Sequence, residues 1–380
     1  MFKQTTLFLL ASFSVLQADD CTCCCQPQST CPTTMNRCGP ITVSARPTNL
    51  ESGFDLFVDF FWWQAQEGGN DYAFIANNQE LGPGGLDEEA HIGNKEVNFP
   101  WKPGFRAGIG YNFEYDQWDA QVYYSWYRTH KNKTVTTDFS TNGDGYNLTA
   151  IVPLHTDINA GSKATIDWSI HYSVIDAELG RNFFVSRHLA LRPHIGLKTG
   201  WINQNVHFNM VGESANTNFP GPVQNKKKND FWGIGPSGGI DTRWYLASFC
   251  ENNFSLFGNF VGALMWGKFK VEEKQVEPGF FIPADVNHIT GKGLDLHLIV
   301  PMLQIQAGLG WDTGFYDDCF HVALNIGYEI QYWFRQNQML NVLPNNFNFG
   351  GSFVQIYYIY QRMSEDLRFH GLTIDLRVDF

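Results

Sequence analysis

The sequence predicts an all-β fold: a transmembrane antiparallel up-and-down β-barrel of about ten to twelve strands, with short periplasmic turns and long extracellular loops. Three observations carry this. Stretches of about ten residues that alternate apolar and polar side chains recur from position 52 to the last residue, as expected where successive side chains leave a strand on opposite faces. No apolar run after the amino terminus reaches the ~18 residues that a membrane-spanning helix needs, so embedding in lipid must be by strands. The connections alternate short and long, which places the long ones at one end of the molecule.

Composition agrees. The chain has 32 Phe, 15 Tyr and 12 Trp, 36 Gly, and only 17% charged residues. That balance favours β structure, tight turns and interfacial aromatics. A net charge of −12 excludes nucleic acid as a partner, because binding a polyanion needs a basic face.

Residues 1–18 read as a cleavable secretory signal, with Lys3 at its start, Leu7 to Leu16 as the apolar stretch and Ala18 at its end. Asp20 before Cys21 argues against a lipoprotein. Residues 19–51 form a cysteine-rich periplasmic segment and a polar linker, and 52–380 the barrel. Cys21, Cys23, Cys24, Cys25, Cys31 and Cys38 crowd the segment. Exported thiols oxidise, so these read as disulfide cysteines. Near-adjacent cysteines pair poorly with each other, which favours bonds to other envelope proteins or to a second copy, an internally bonded tail being the alternative. A zinc site is disfavoured by the absence of a nearby histidine. Cys250 and Cys319 fall in short connections, paired or free.

In chain order, Phe54, Leu56, Val58, Phe60 and Trp62 alternate with a mixed face. Phe105 to Phe113 sets apolar residues against Arg106, Gly108, Gly110 and Asn112; after a turn at 115–117, Trp118 to Trp126 opposes Asp119, Gln121, Tyr123 and Ser125. Two such strands joined by a tight turn predict a hairpin. Ile166, Trp168, Ile170, Tyr172 and Val174 oppose Thr165, Asp167, Ser169, His171 and Ser173; parity then slips, with Ala177 and Leu179 against Asp176 and Glu178. A slip of this kind predicts a β-bulge at Val174-Ile175. Further strands follow at 189–201 (Arg192, His194 and Lys198 on the polar face), 232–244 (Asp241, Arg243), 254–266, 303–311 (Gln304, Gln306) and 320–334 (Asn325, Glu329, Gln331). In the last strand Leu372, Ile374, Leu376, Val378 and Phe380 oppose Gly371, Thr373, Asp375, Arg377 and Asp379. Its end, with Leu376, Val378 and an aromatic Phe380, reads as a signal for the barrel-assembly machinery.

Short connections are expected near 115–117, 182–187, 247–252, 313–318 and 362–367, and long ones near 67–100, 129–163, 203–230, 271–295 and 336–351. Trp62, Trp118, Trp126, Trp201, Trp232, Trp244, Trp266, Trp311 and Tyr332 sit near strand ends, where two interfacial girdles would lie. Counting 353–360 gives eleven candidate strands, although single-chain bacterial barrels have even numbers. Either that segment belongs to the last external loop, leaving ten, or a further strand near 147–153 or 205–211 makes twelve.

Several segments in combination resemble the Legionella-type major outer membrane proteins and similar proteins of chlamydia-related bacteria. They are Phe61-Trp62-Trp63-Gln64-Ala65, Gly104-Phe105-Arg106-Ala107-Gly108, Asp116-Gln117-Trp118-Asp119, Glu178-Leu179-Gly180-Arg181, Leu191-Arg192-Pro193-His194, Phe231-Trp232-Gly233-Ile234-Gly235-Pro236, Ser255-Leu256-Phe257-Gly258, Gln331-Tyr332-Trp333 and His370-Gly371-Leu372-Thr373. The resemblance covers 52–380, whereas the cysteine tail departs from the Legionella pattern. It implies a pore-forming protein integral to the bacterial outer membrane that also presents surface loops, and it supplies no catalytic residues.

If the apolar parities face lipid, the lumen is lined by Arg106, Asp119, Gln121, Asp167, His171, Arg192, Lys198, Asp241, Arg243, Gln304, Gln306, Asn325, Glu329, Gln331, Asp375 and Arg377. Facing charges of both signs would give a wet path for small hydrophilic solutes. The alternative is a structural or adhesive surface barrel, cross-linked by disulfides, whose lumen is closed by side chains or an inward loop. No enzyme, cofactor or metal site is expected. Asp317, Asp318 and His321 accompany no nucleophile motif, and Gly233 to Gly239 lies within a strand with no helix after it to form a phosphate loop.

Overall fold

A computed structural model of the chain describes residues 53–77, 93–114, 116–137, 146–150, 160–212, 222–249, 252–278, 286–315, 320–349 and 353–379. The signal and cysteine segments, Cys250, Cys319, Asp317, Asp318 and Phe380 lie outside these. Ten strands close a ring. In ring order they are β1 (Gly53–Glu67), β4 (Lys102–Asn112), β5 (Trp118–Thr136), β7 (Ala160–Arg181), β9 (Leu189–Gly212), β10 (Pro222–Phe249), β11 (Asn252–Pro278), β12 (Val286–Phe315), β13 (Phe320–Asn337) and β16 (Glu365–Asp379). All neighbours are antiparallel, and β1 closes on β16 from Asp55↔Asp379 to Glu67↔Leu367. At this seam a Cβ on Gly371, whose φ is 156°, would stand 2.2 Å from the Trp62 carbonyl oxygen, so the position requires glycine.

Of the two strand counts, the structure has ten. The 353–360 segment is β15 (Phe353–Arg362), which pairs only with β14 (Leu340–Phe349) as a hairpin outside the ring, so the connection near 362–367 is extracellular. The 147–153 candidate is a short extracellular strand, β6 (Tyr146–Ala150), beside β2 (Asp71–Asn77), itself paired with β3 (Gly93–Glu96). The 205–211 candidate is the upper part of β9. A two-residue strand, β8 (Phe183–Phe184), completes the periplasmic edge. The 113–118 turn holds Asp116 and Gln117 at φ 58° and 62°, the left-handed geometry of a tight hairpin.

The lipid-facing band is read from exposed apolar side chains. Leu56, Val58, Ile109, Val122, Leu197, Ile240, Phe260, Leu309, Ile326 and Leu376 all point outward. Aromatic residues bound this band on both sides. Trp62, Trp101, Trp126, Trp201, Trp232 and Trp266 mark the extracellular boundary, with Trp201 opposite Trp232 and the Trp232 and Trp266 rings 6.4 Å apart. Phe54, Phe113 and Trp244 mark the periplasmic one. These are the girdles of an outer-membrane barrel.

Above the extracellular girdle the strands continue, and much of what reads as long loops is strand. β9, β10, β11 and β12 are 24, 28, 27 and 30 residues long. There the two faces exchange character. On β9, Leu197 and Trp201 face lipid, but Asn203, Asn205 and His207 continue that outer face while Ile202, Val206, Phe208 and Met210 are buried within. On β7 the same exchange corrects two expectations. Ile166, Trp168, Ile170, Tyr172 and Val174 face inward and are buried, so Asp167 and His171 lie on the outer wall and do not line the lumen. The Asp167 side chain is 42% exposed and meets His130 at 2.9 Å on that wall.

The expected bulge at Val174-Ile175 is absent. Registers with β5 and β9 run through those residues unbroken, and the only shift between β7 and β9 is between Gly161 and Lys163. Parity slips in the sequence because the solvent changes from lipid to water, while the strand itself stays regular. Below the boundary Ile175, Ala177 and Leu179 face outward and Asp176 and Glu178 inward.

The two zones respond differently to an outer-face cation. Leu197→Arg, in the lipid zone, is expected to cost about 2–4 kcal/mol, whereas Asn205→Arg, eight residues along the same face, stays within about 0.5 kcal/mol. Urea unfolding of the barrel in lipid vesicles, read by tryptophan fluorescence, measures both.

Candidate functional site

Within the ring the lumen has two storeys. In the lower one the side chains of Arg106, Asp119, Gln121, Arg192, Lys198, Asp241, Arg243, Gln304, Gln306, Asn325, Glu329, Gln331, Asp375 and Arg377 turn inward. Strand alternation puts them there, and the same parity adds Asp55, Asp59, Asp176, Glu178, His194, Asp312 and Asp379. Arg106 pairs with its cross-strand partner Asp59 at 2.6 Å and reaches past β1 and β16 to Glu329 on β13 at 2.9 Å. Arg192 engages Asp119 and meets Asp241 at 2.7 Å and Glu178 at 3.5 Å. Its guanidinium lies over Gly180, where a Cβ would stand 2.5 Å from Nε. Lys198 pairs with Asp176 at 2.5 Å, Arg243 with Asp312 at 3.6 Å, and Arg377 with Asp55 at 3.7 Å. Gln304, Gln331 and Thr373 donate hydrogen bonds to the carboxylate of Glu329, which is fully buried. Buried charges need partners of this kind, since desolvation is costly in a low dielectric.

These groups surround a cavity of about 260 Å³, lined on β1, β4, β5, β7, β9, β10, β11, β12, β13 and β16 and extending to Asn182, Phe184 and Tyr245 at the periplasmic ends of strands. The cavity wall itself carries Asp59, Glu178, Asp241 and Asp375 against Arg106, Arg192, Arg243 and Arg377, with His194 3.4 Å from Glu178 and 3.8 Å from Asp241.

The upper storey begins at the height of the extracellular girdle with a layer of inward aromatics. Trp63 stacks on Phe61 at 4.0 Å and lies 5.9 Å from Tyr127; Tyr127 meets Phe369 at 5.5 Å, and Phe369 meets Tyr172 at 4.9 Å. Tyr172 leads to Trp333 at 6.0 Å, Trp333 to Phe231 at 6.3 Å, and Phe231 to Phe269 at 4.7 Å. The rings come from β1, β5, β16, β7, β13, β10 and β11, and every one is at most 1% exposed. They form a dry septum across the lumen, and a larger apolar core of Ile166, Trp168, Ile202, Phe208, Val223 and Val271 continues above it.

The septum escapes a reading by alternation alone. Its members neighbour girdle residues in the sequence: Trp62-Trp63, Trp126-Tyr127, Phe231-Trp232 and Tyr332-Trp333. The available signal was these aromatic doublets, in which one ring must face lipid and the next the interior. His321, at the periplasmic rim, lies 3.4 Å from Asp312 and 3.2 Å from Asp379. Among the described residues no group of three or more His, Cys, Asp or Glu is arranged to hold a metal ion.

With an outer-membrane barrel and a divided lumen in view, comparison with known proteins assigns the lineage. Residues 46–380 match the family described as Legionella pneumophila major outer membrane protein precursor. The chain belongs to this family. Like the family, it is an integral outer-membrane protein. No curated protein matches it. Among solved structures, it is similar to the outer membrane protease OmpT from Escherichia coli, at 8% identity and a TM-score of 0.35, over 86% of this chain and 96% of that one. It is also similar to a Pseudomonas aeruginosa FadL homologue, at 7% identity and a TM-score of 0.23, over 87% and 90% of the two chains. The Pseudomonas putida toluene transporter TodX aligns at 8% identity and a TM-score of 0.23, over 90% and 91%.

Two predictions follow from the charges of this major outer membrane protein family member. Arg106→Met leaves Asp59 and Glu329 without their cation and is expected to cost about 3–5 kcal/mol. Adding Asp59→Asn and Glu329→Gln should recover most of that loss, and urea midpoints in detergent measure it. Above the girdle, burial raises the Glu67 carboxyl well above its ordinary value of 4.5, against the hydrogen bond from Gln204 at 3.1 Å. A carboxyl raised on folding binds more protons folded than unfolded, so its contribution to stability is present below pH 4.5 and is lost as pH rises toward the folded value. Glu67→Gln should therefore be the more stable protein at pH 8 and show a smaller difference between pH 5 and pH 8.

Proposed function

We propose that the protein is a surface-presenting outer-membrane barrel whose lumen is shut at rest, and that it carries its extracellular wall and loops rather than letting solutes diffuse freely. The observation that carries this reading is the septum. Eight aromatic rings from seven strands, each at most 1% exposed, lie between the charged lower storey and the cell surface. Rings that bury their area and touch edge to face gain roughly 0.5–1.5 kcal/mol per pair beyond burial, so a chain of seven contacts resists spontaneous parting. The tall strands β9 to β12 support the same reading, because they raise a polar-faced wall beyond the membrane.

A second reading, a pore for small hydrophilic solutes that opens when the septum moves, is favoured by the cavity beneath it. A charged vestibule extending toward the periplasm is half of such a path. It needs the aromatic layer to part. No catalytic step is assigned in either reading.

Single-channel recording in planar bilayers separates the two. The wild-type barrel is expected to give no steady conductance steps. The Trp63→Ala, Phe369→Ala double variant, which removes two rings from the middle of the septum, should conduct. Steady steps from the wild-type protein would replace the closed reading with the pore.

A further inference from the structure

We propose that the outer wall of β9 to β12, directly above the tryptophan girdle, is a docking surface for the phosphorylated sugar headgroup of an outer-leaflet glycolipid. Strand alternation turns Lys226 and Lys228 of β10 and Lys268, Lys270 and Lys274 of β11 outward on this wall. The chain as a whole carries a net charge of −12, so a column of lysines on one face runs against its overall sign.

The carboxylates of the same face do not cancel it. Lys268 meets Asp295 at 3.1 Å and Lys270 meets Glu272 at 3.0 Å, through side chains that are between 30% and 60% exposed. Pairs so exposed gain little from each other and can exchange partners. The remaining carboxylate described on this face, Asp230, stands opposite Lys270. Lys226, Lys228 and Lys274 form no ion pair among the described residues. The highest row is wholly basic: His207, Lys226 and Lys274 are direct cross-strand partners on β9, β10 and β11. Asp167, on the other side of His207, is engaged by His130 at 2.9 Å. Like charges directly opposite one another destabilise a sheet, and an anion lying across the row relieves them.

The depth of the column identifies the occupant. Its lowest member, Lys268, stands directly opposite Trp232 and His297, and the His297 ring stacks on Trp266 at 5.5 Å. Those tryptophans mark the membrane interface, so Lys268 lies at headgroup depth. Lys274 is six residues further along β11, roughly 20 Å at ~3.3 Å per residue and about 15 Å of height on a strand tilted by ~40°. A phospholipid headgroup layer is only about 5–7 Å thick, so a phosphate next to the acyl chains reaches the lowest lysine and no further. A headgroup built of several phosphorylated sugars spans the column, and each ammonium offers three donors to phosphate oxygens. The wall faces sideways along the membrane plane, so its neighbour is this headgroup layer rather than free solution.

Native mass spectrometry of the full-length barrel in nonionic detergent, titrated with deep-rough lipopolysaccharide at low salt, tests this. Saturable binding is expected, weakened at least tenfold by the Lys226→Gln, Lys274→Gln double variant and retained by Lys226→Arg, Lys274→Arg. It should be unchanged by Lys102→Gln, at an exposed lysine opposite Trp63 on β4, away from this wall. Lys228→Gln, Lys270→Gln repeats the test from the middle of the column should the first double variant fail to fold. Lipopolysaccharide stripped of its phosphates should bind at least tenfold more weakly. Equal binding by the glutamine variants, or of the dephosphorylated lipid, would overturn the proposal. Equally tight binding of dextran sulfate at matched charge would assign the wall to soluble polyanions and overturn it as well. The lysines lie outside the ring, so the outcome is independent of whether the septum parts.

Discussion

The rest of this structure depends on one constraint: in hydrocarbon there is no water to pair a stray backbone N–H or C=O. A sheet can meet it only by closing, and here closure rests on the seam between the first and last strands, where β1 and β16 pair from Asp55↔Asp379 to Glu67↔Leu367. The seam tolerates no side chain at Gly371, where the Trp62 carbonyl occupies the space a Cβ would need. With the ring closed, every strand inside the membrane is paired on both sides and presents only side chains to lipid.

Closure then decides what must happen inside. The outer face meets two solvents, lipid below the tryptophan boundary and water above it, and its chemistry changes at that boundary. The inner face meets neither freely: ion pairs surround a cavity below, and above it an apolar core closes around buried polar side chains such as Glu67 and Gln204. The two inversions are therefore coupled: where the outside turns polar at Asn203 and Asn205, the inside turns apolar at Ile202 and Val206. The septum sits at the crossover because there both faces want aromatics, one ring for the interface and the next for the core.

That division gives the molecule its functional character within its family. Below the septum Arg106, Arg192 and Arg377 tie down the carboxylates around a charged vestibule that extends to the periplasmic ends of the strands. Above it, the long strands β9 to β12 form a wall whose outer surface belongs to the aqueous side.

Much of the lower barrel was legible in the chain itself. Alternation at 54–62, 105–113, 118–126 and 368–379 fixes which residues share a face, because the side-chain period of a strand is two whatever surrounds it. The resemblance carried by short motifs agrees with the family. Alternation cannot say which face is outside, so Asp167 and His171 were placed in the lumen, although Ile166 and Tyr172 occupy it. The long strands above the girdle were read as loops for the same reason: their lipid-free outer faces are polar and lost the hydropathy signal. Sequence by itself determined the alternating strands of the lower barrel, the lipid band and the lineage, since these follow from local period, composition and short motifs. Only the tertiary structure decided that ten strands close, that Trp63, Tyr127, Phe369 and Trp333 meet across the lumen, and that Asp59 faces Asp375. Those contacts join residues far apart in the chain, and nothing in a local pattern records which strands the ring brings face to face.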